Sequence, residues 1–188
     1  MAKPLSLRQL VEQNIAPVLQ ARGFAYEPAR IGPTFRRMVQ LPAATTVQIV
    51  EFQYGVKMGS FGTFAVNLGV YSPELTYPAR GVSAAEAHSS DCMFEMLTRL
   101  SHIRPPCPKG APVSYVTGDA EQQSDEWWPY RGSPRKIEKT LEKVIHLLEN
   151  RAEPWFQTMT SEESFRRAHA IHAERAARLR EDQRHKRK

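Results

Sequence analysis

The stretch Thr63-Phe64-Ala65-Val66-Asn67-Leu68-Gly69-Val70-Tyr71 decides the fold class. Phe64, Val66, Leu68 and Val70 fall on one side of an extended chain, and Thr63, Ala65, Asn67 and Tyr71 on the other. That is the two-residue period of a β-strand. Upstream, Val47 to Tyr54 reads as a second strand, Thr34 to Gln40 as a third and Phe24 to Pro28 as a short fourth. The links are brief and carry turn residues: Gly32-Pro33, Pro42, and the glycines of Gly55 to Gly62. An antiparallel meander of at least three strands is the expected topology.

Helices flank this sheet. Leu5 to Gly23 predicts a helix, opened by Ser6 with Gln9 three residues on, a capping-box pattern. Leu7, Leu10, Val11, Val18 and Leu19 share a face, with Ile15 at its edge, and Gly23 is the stop. Pro17 removes a backbone donor and should kink the helix near Gln13 or Asn14. Ser133 to Asn150 predicts a second helix, with Ser133 as cap, Pro134 at the first helical position, and a stripe of Ile137, Leu141, Val144, Ile145 and Leu148. Glu138 and Glu142 repel along it, as do Lys139 and Lys143, so its outer face is solvated. Pro154 should break the chain, and Ser161 should open a last helix reaching about Arg184. Its apolar content is mostly alanine, so its end is expected to project or fray. One sheet face should pack against Leu5 to Arg22 and the later helices, an α+β architecture.

Residues 73–134 hold eight of the 14 prolines and are the least legible part. Ala84 to Leu100 fits a partial helix, while Thr98 to Ile103 fits a strand equally well. Pro105-Pro106, Pro108 and Pro112 mark a loop, Val113 to Thr117 a short edge strand, and Asp119 to Glu126 an acidic loop.

The 188 residues suit one domain, read as 1–160, with 161–188 as a basic helical extension. From Arg166 to Lys188 nine Lys/Arg oppose three acids, an excess of +6 that equals the net charge of the chain. The preceding residues are balanced at 17 basic and 17 acidic side chains. No apolar run approaches a membrane span, and Met1-Ala2-Lys3-Pro4-Leu5 has no signal-peptide h-region, so a cytoplasmic location is expected. Cys92 and Cys107 lie 15 positions apart without ligand-spaced histidines, which points to reduced thiols.

No phosphate-binding, dinucleotide-binding, zinc-protease or nucleophile-elbow motif is present. His169 and His172 share a helix face but lack further ligands; His88, Asp91 and Cys92 lack a base geometry for thiol chemistry. The acids Asp119, Glu121, Asp125 and Glu126 read as a solvated loop rather than an acid/base pair. No cofactor or metal is therefore expected. Trp127-Trp128, followed by Pro129-Tyr130, is the densest aromatic cluster. It is either a binding platform or, the favoured reading, one core tryptophan and one covering a sheet edge. Gln53 and Asn67 sit on strands that look paired, and Arg36 or Arg37 could join them as a polar constellation. An ordinary solvent face of an open sheet explains the same residues.

Taken together, Arg22-Gly23-Phe24, Thr34-Phe35-Arg36-Arg37, Val50-Glu51-Phe52-Gln53, the strand Phe64 to Tyr71, and Asp125-Glu126-Trp127-Trp128 resemble the bacterial family known as domain of unknown function 4304. The resemblance runs from about Leu5 to Phe156, with the strand and the double tryptophan its most specific parts. Pro73 to Asp119 and the basic tail carry none of these motifs. The family implies an α+β fold and supplies no catalytic residues.

Three functions are then ranked. A non-catalytic binding or interaction domain comes first, its partner a protein and its surface drawn from Arg37, Gln53, Asn67, Trp127, Trp128 and Tyr130. Second is non-specific nucleic-acid association through Arg175, Arg178, Arg184, Lys186, Arg187 and Lys188. Third is an enzyme whose polar site joins Arg37, Gln53, Asn67 and an acid of the 119–126 loop.

Overall fold

The computed structural model describes residues 5–28, 32–56, 60–77, 79–103 and 127–185. The expected proline loop from Pro105, the edge strand at Val113 to Thr117, Cys107 and the acidic loop to Glu126 lie outside the described residues. Among the described residues six strands form an antiparallel sheet: β1 (Ala25–Pro28), β2 (Pro33–Gln40), β3 (Thr45–Tyr54), β4 (Thr63–Tyr71), β5 (Leu97–Arg99) and β6 (Trp128–Pro129). Strands β1 to β5 follow one another in the order of the chain, and β6 pairs with β4 beside β5. Register sets the two faces. Phe35 opposes Val50, Val50 opposes Leu68, and Phe64 opposes both Tyr54 and Trp128 on the first face. Glu51 opposes Asn67 and Asn67 opposes Arg99 on the second.

The described α-helices pack on the first face. Helix α1 runs Leu7–Leu10, widens into a π-turn at Val11–Ile15 and resumes at Ala16–Gln20. The capping box of Ser6 and Gln9 is formed, and Gly23 leaves the helix at φ 81. The irregularity expected from Pro17 near Gln13 or Asn14 takes the form of this π-turn, which spans both residues. Pro17 has no N–H to donate and its ring crowds the carbonyl of the preceding turn, and a wider turn relieves that crowding. The extra residue rotates the rest of the helix, so Ile15 moves from the edge of the stripe to full burial and Val18 to half-burial.

Helix α2 shows the same device. It runs Pro134–Leu147, widens at Leu148–Ala152 and resumes at Glu153–Met159. Pro154 therefore sits at the start of a resumed helix and does not break the chain. Ser133 holds the cap position with extended backbone but its side chain makes no cap bond, so Pro134, with its helical φ, opens the helix. The last helix, α3 (Glu162–His185), comes after Ser161, whose Oγ accepts from the Ser164 N–H at 3.1 Å.

One large core lies between the first face and these helices. Trp155, Phe35, Phe52, Phe64, Phe156 and Phe165 are each at most 1% exposed. Burial of such side chains stabilises by about 1.5–3 kcal/mol each. The core cluster includes Phe165 and Ala168 of α3. Arg37 joins the layers from the first face. It donates to Gln48 at 2.6 Å, to the Arg22 carbonyl at 2.9 Å and to Glu153 at 2.8 Å, and stacks over Phe24.

The second face is half covered. Val47, Ile49 and Tyr71 form a smaller cluster with Ala84, Ala87 and Cys92 from the excursion after β4. Gly69 is needed there, because a Cβ would stand 2.5 Å from the Cys92 sulfur. The excursion holds short 3-10 turns at Ser89–Asp91, Phe94–Met96 and Leu100–His102 instead of the helix fitted to Ala84–Leu100. Asp91 accepts from the His88 N–H at 2.8 Å, a local bond that competes with helix. The segment then passes round the β4 edge, and Met93, Met96 and Leu100 enter the large core.

Candidate functional site

Two places gather polar or aromatic side chains. On the second face, Asn67 donates to Gln53 at 3.2 Å and to Glu51 at 3.4 Å. Ser89 donates to the same Glu51 oxygen at 2.7 Å, and the second Glu51 oxygen lies 3.4 Å from His88 Nδ1. Glu51 is buried and its bonds are to the sheet and the excursion, so this cluster anchors residues 88–91 onto β3. Arg36 lies on this face, bonded to Glu27 and to the Ala87 carbonyl. Arg37 lies on the other face. The structure thus brings Gln53 and Asn67 together and separates Arg37 from them.

The aromatic cluster also divides. Trp128 pairs with Phe64 and is 3% exposed, in the large core. Trp127 is half-buried, with the Arg99 guanidinium 4.9 Å from its ring. Tyr130 turns back toward the helix side, where it meets a cleft.

That cleft encloses about 820 Å³ at the end of the sheet, between the starts of α1 and α2. Its apolar walls are Leu5, Leu7 and Ile137. Tyr54, the last residue of β3, and Tyr130 stand edge to face with centroids 6.3 Å apart. Alternation along β3 sends Tyr54 to the helix side with Phe52. Burial pushes the Tyr54 hydroxyl above its ordinary pKa, and Arg8 acts against that rise. Arg131 stacks over Tyr130 at 5.6 Å and over Phe61 at 5.1 Å, and Phe61 is 73% exposed. Backbone fixes the arrangement: the Tyr130 N–H donates to the Gly62 carbonyl at 3.1 Å. Gly62, at φ 83, also leaves room for Arg131, whose Cδ would be 3.2 Å from an added Cβ. Ser6 and Gln9, which also line the cleft, bond to each other. The lining therefore offers contact chemistry: two phenols, one guanidinium and aliphatic walls.

Of the candidate site residues that the structure describes, only Tyr130 lines the cleft. Tyr54, Arg131 and Phe61 were missed. The signal for Tyr54 was its parity with Phe52; for Phe61 and Arg131 no local pattern marks them. The other chemistry read in the sequence has settled places. Cys92 is free and buried, and burial, ahead of Asp91 and Glu51, pushes its thiol pKa strongly upward. His169 contacts the Leu75 carbonyl at 2.6 Å, and Tyr77 packs against both His169 and His172. Among the described residues no group of three or more His, Cys, Asp or Glu is placed to hold a metal. Arg175 is paired with buried Glu95 at 2.9 Å and stacks over Phe94, while Arg178 pairs with Glu174 at 2.5 Å. The Arg184 side chain and Lys186 to Lys188 lie outside the described residues. No helix among the described residues is long and apolar enough to cross a membrane.

Fold and cleft define an α+β domain with a six-stranded antiparallel sheet, helices on one face and an aromatic cleft at the sheet end. Residues 15–158 match the family model described as Domain of unknown function (DUF4304), and the chain belongs to this family. The match takes in the stretch between Pro73 and Asp119, which the motifs left uncovered, and includes Tyr54, Tyr130 and Arg131; α3 lies beyond it. No curated protein and no solved structure matches the chain.

Proposed function

We propose that this chain is a non-catalytic interaction domain that receives a segment of a partner protein in the cleft beside Tyr54 and Tyr130. The observation that carries the reading is the lining itself. Tyrosine and arginine supply much of the energy at protein interfaces, because each offers a large apolar body and a polar edge. Here both are fixed before binding, stacked on one another above aliphatic walls. Preorganised contacts cost little entropy when a partner arrives. The volume suits a few side chains of an extended segment. The same reading places the protein in the cytoplasm, supported by the unpaired Cys92 thiol.

A selection of random displayed peptides on the full chain tests this. Enriched peptides should lose binding to Tyr130→Ala and keep it with Met38→Ala, at an exposed position on the other sheet face. Winners indifferent to Tyr130, or no winners at all, would overturn the reading.

A further inference from the structure

We infer that the segment taken by the cleft carries an acidic side chain next to an apolar one, an inference that rests on the binding reading above. Three observations converge. First, the Arg131 guanidinium carbon lies over the Phe61 ring at 5.1 Å and over the Tyr130 ring at 5.6 Å, and Arg131 makes no ion pair with any described residue. Contact with aromatic rings satisfies none of the guanidinium N–H donors with an oxygen acceptor, so a planar acceptor such as a carboxylate suits them.

Second, the start of α2 forms a wall of the cleft through Gly132 and Ile137. This start has no acid in its first turn and no side-chain cap, and its first turn carries Arg135 and Lys136. Helices ordinarily place acids there, because the dipole is positive at that end. In α2 the positive end and the cations add to Arg131 instead of being offset. Arg8, on α1, adds a further positive charge acting on the Tyr54 hydroxyl. Glu12, the acid on α1, accepts from the Tyr26 hydroxyl at 2.8 Å, and its charge acts on Tyr54 in the opposite sense to Arg8 but more weakly.

Third, the remaining contact surface is apolar and exposed: Leu5 is 42% exposed and Phe61 73%. A purely anionic ligand would leave these side chains in water. A purely apolar one would desolvate Arg131 without a partner, which costs free energy. A segment with an aliphatic or aromatic side chain beside Asp or Glu satisfies both.

The peptide selection, read for composition, decides the matter. Winners that depend on Tyr130 should be enriched in Asp or Glu adjacent to an apolar residue. Synthetic copies with amidated C-termini should bind the full chain, weaken as salt rises, and bind Arg131→Gln about tenfold or more less tightly. Circular dichroism and thermal unfolding would show that Arg131→Gln is folded. Tyr130-dependent winners without acids, or acidic winners indifferent to Arg131→Gln, overturn this inference and leave the cleft reading standing. So does binding that requires a free C-terminal carboxylate and vanishes on amidation. If no winner depends on Tyr130, both readings fall together.

Discussion

At the scale of single residues, burial and one hydrogen bond give Tyr26 a measurable signature. Its ring packs on Phe35 at 5.0 Å and its hydroxyl donates to Glu12 at 2.8 Å. Burial first, then the bond to Glu12 and its charge, raise the phenol from 10.0 to about 12. The folded chain holds this proton more tightly than the unfolded chain. The contribution to stability is therefore complete below pH 10 and is lost as pH rises toward 12. Denaturant midpoints measured across that window should fall more steeply for the native chain than for Tyr26→Phe; equal slopes would contradict the argument. Some slope should persist in the variant, because burial also raises Tyr54 and Tyr71. Residue placement was legible wherever alternation could be traced. Phe35 in the core puts Arg37 on the same face and Arg36 on the other, a step available from Thr34-Phe35-Arg36-Arg37. The cleft was less legible because its members are Tyr54, Tyr130, Arg131 and Leu5, brought together only when β3, β6, α1 and α2 are packed.

At the scale of elements, the two π-turns share a construction. Each precedes a proline that stands at the start of the resumed helix, Pro17 after Val11–Ile15 and Pro154 after Leu148–Ala152. Each also contains an asparagine whose side chain returns to a backbone carbonyl four residues earlier. Asn14 donates to the Leu10 carbonyl at 2.9 Å and Asn150 to the His146 carbonyl at 2.9 Å. Each amide gives the backbone at the widened turn an additional donor. In an ordinary exposed helix, alanine is the better residue and Asn→Ala stabilises. Here the sign should reverse. Asn14→Ala and Asn150→Ala should each lower stability by about 0.5–1.5 kcal/mol, read from denaturant unfolding. A gain in either would mean that the amides are incidental. Sequence patterns resolve strand and helix periods but carry no mark for a five-residue turn, so Pro17 reads as a kink and Pro154 as a break. The excursion around Ser89 was obscure for a related reason: spacings of three and four at Met93, Met96 and Leu100 fit 3-10 turns as well as an α-helix.

At the scale of the whole molecule, the question is where the cooperative unit ends along α3. Its first half is built into the body. Phe165 and Ala168 are at most 1% exposed, Ser164 donates to the Thr158 carbonyl at 2.9 Å, and Glu162 accepts from the Ala43 N–H in the β2–β3 turn. Arg175 closes this docked part by its pair with Glu95, which is 3% exposed. Beyond it the helix turns outward, with Leu179 62% exposed. Charge obeys a different division. Within Glu162–His185 six arginines meet five acids, so the helix itself is close to neutral, and three further cations lie beyond it. Two shortened chains separate packing from charge. A chain ending at Ala176 keeps the docked half and should unfold cooperatively with a midpoint close to that of the full chain. A chain ending at Glu163 removes Phe165 and Ala168 and leaves buried Glu95 without its cation. Loss of a buried aromatic alone costs about 3–5 kcal/mol, a large part of the total stability of a domain of this size. That chain should lose its cooperative transition or aggregate. If it melts like the full chain, the packing of α3 contributes nothing to the fold, and the helix is an appendage in the energetic sense as well as in its charge.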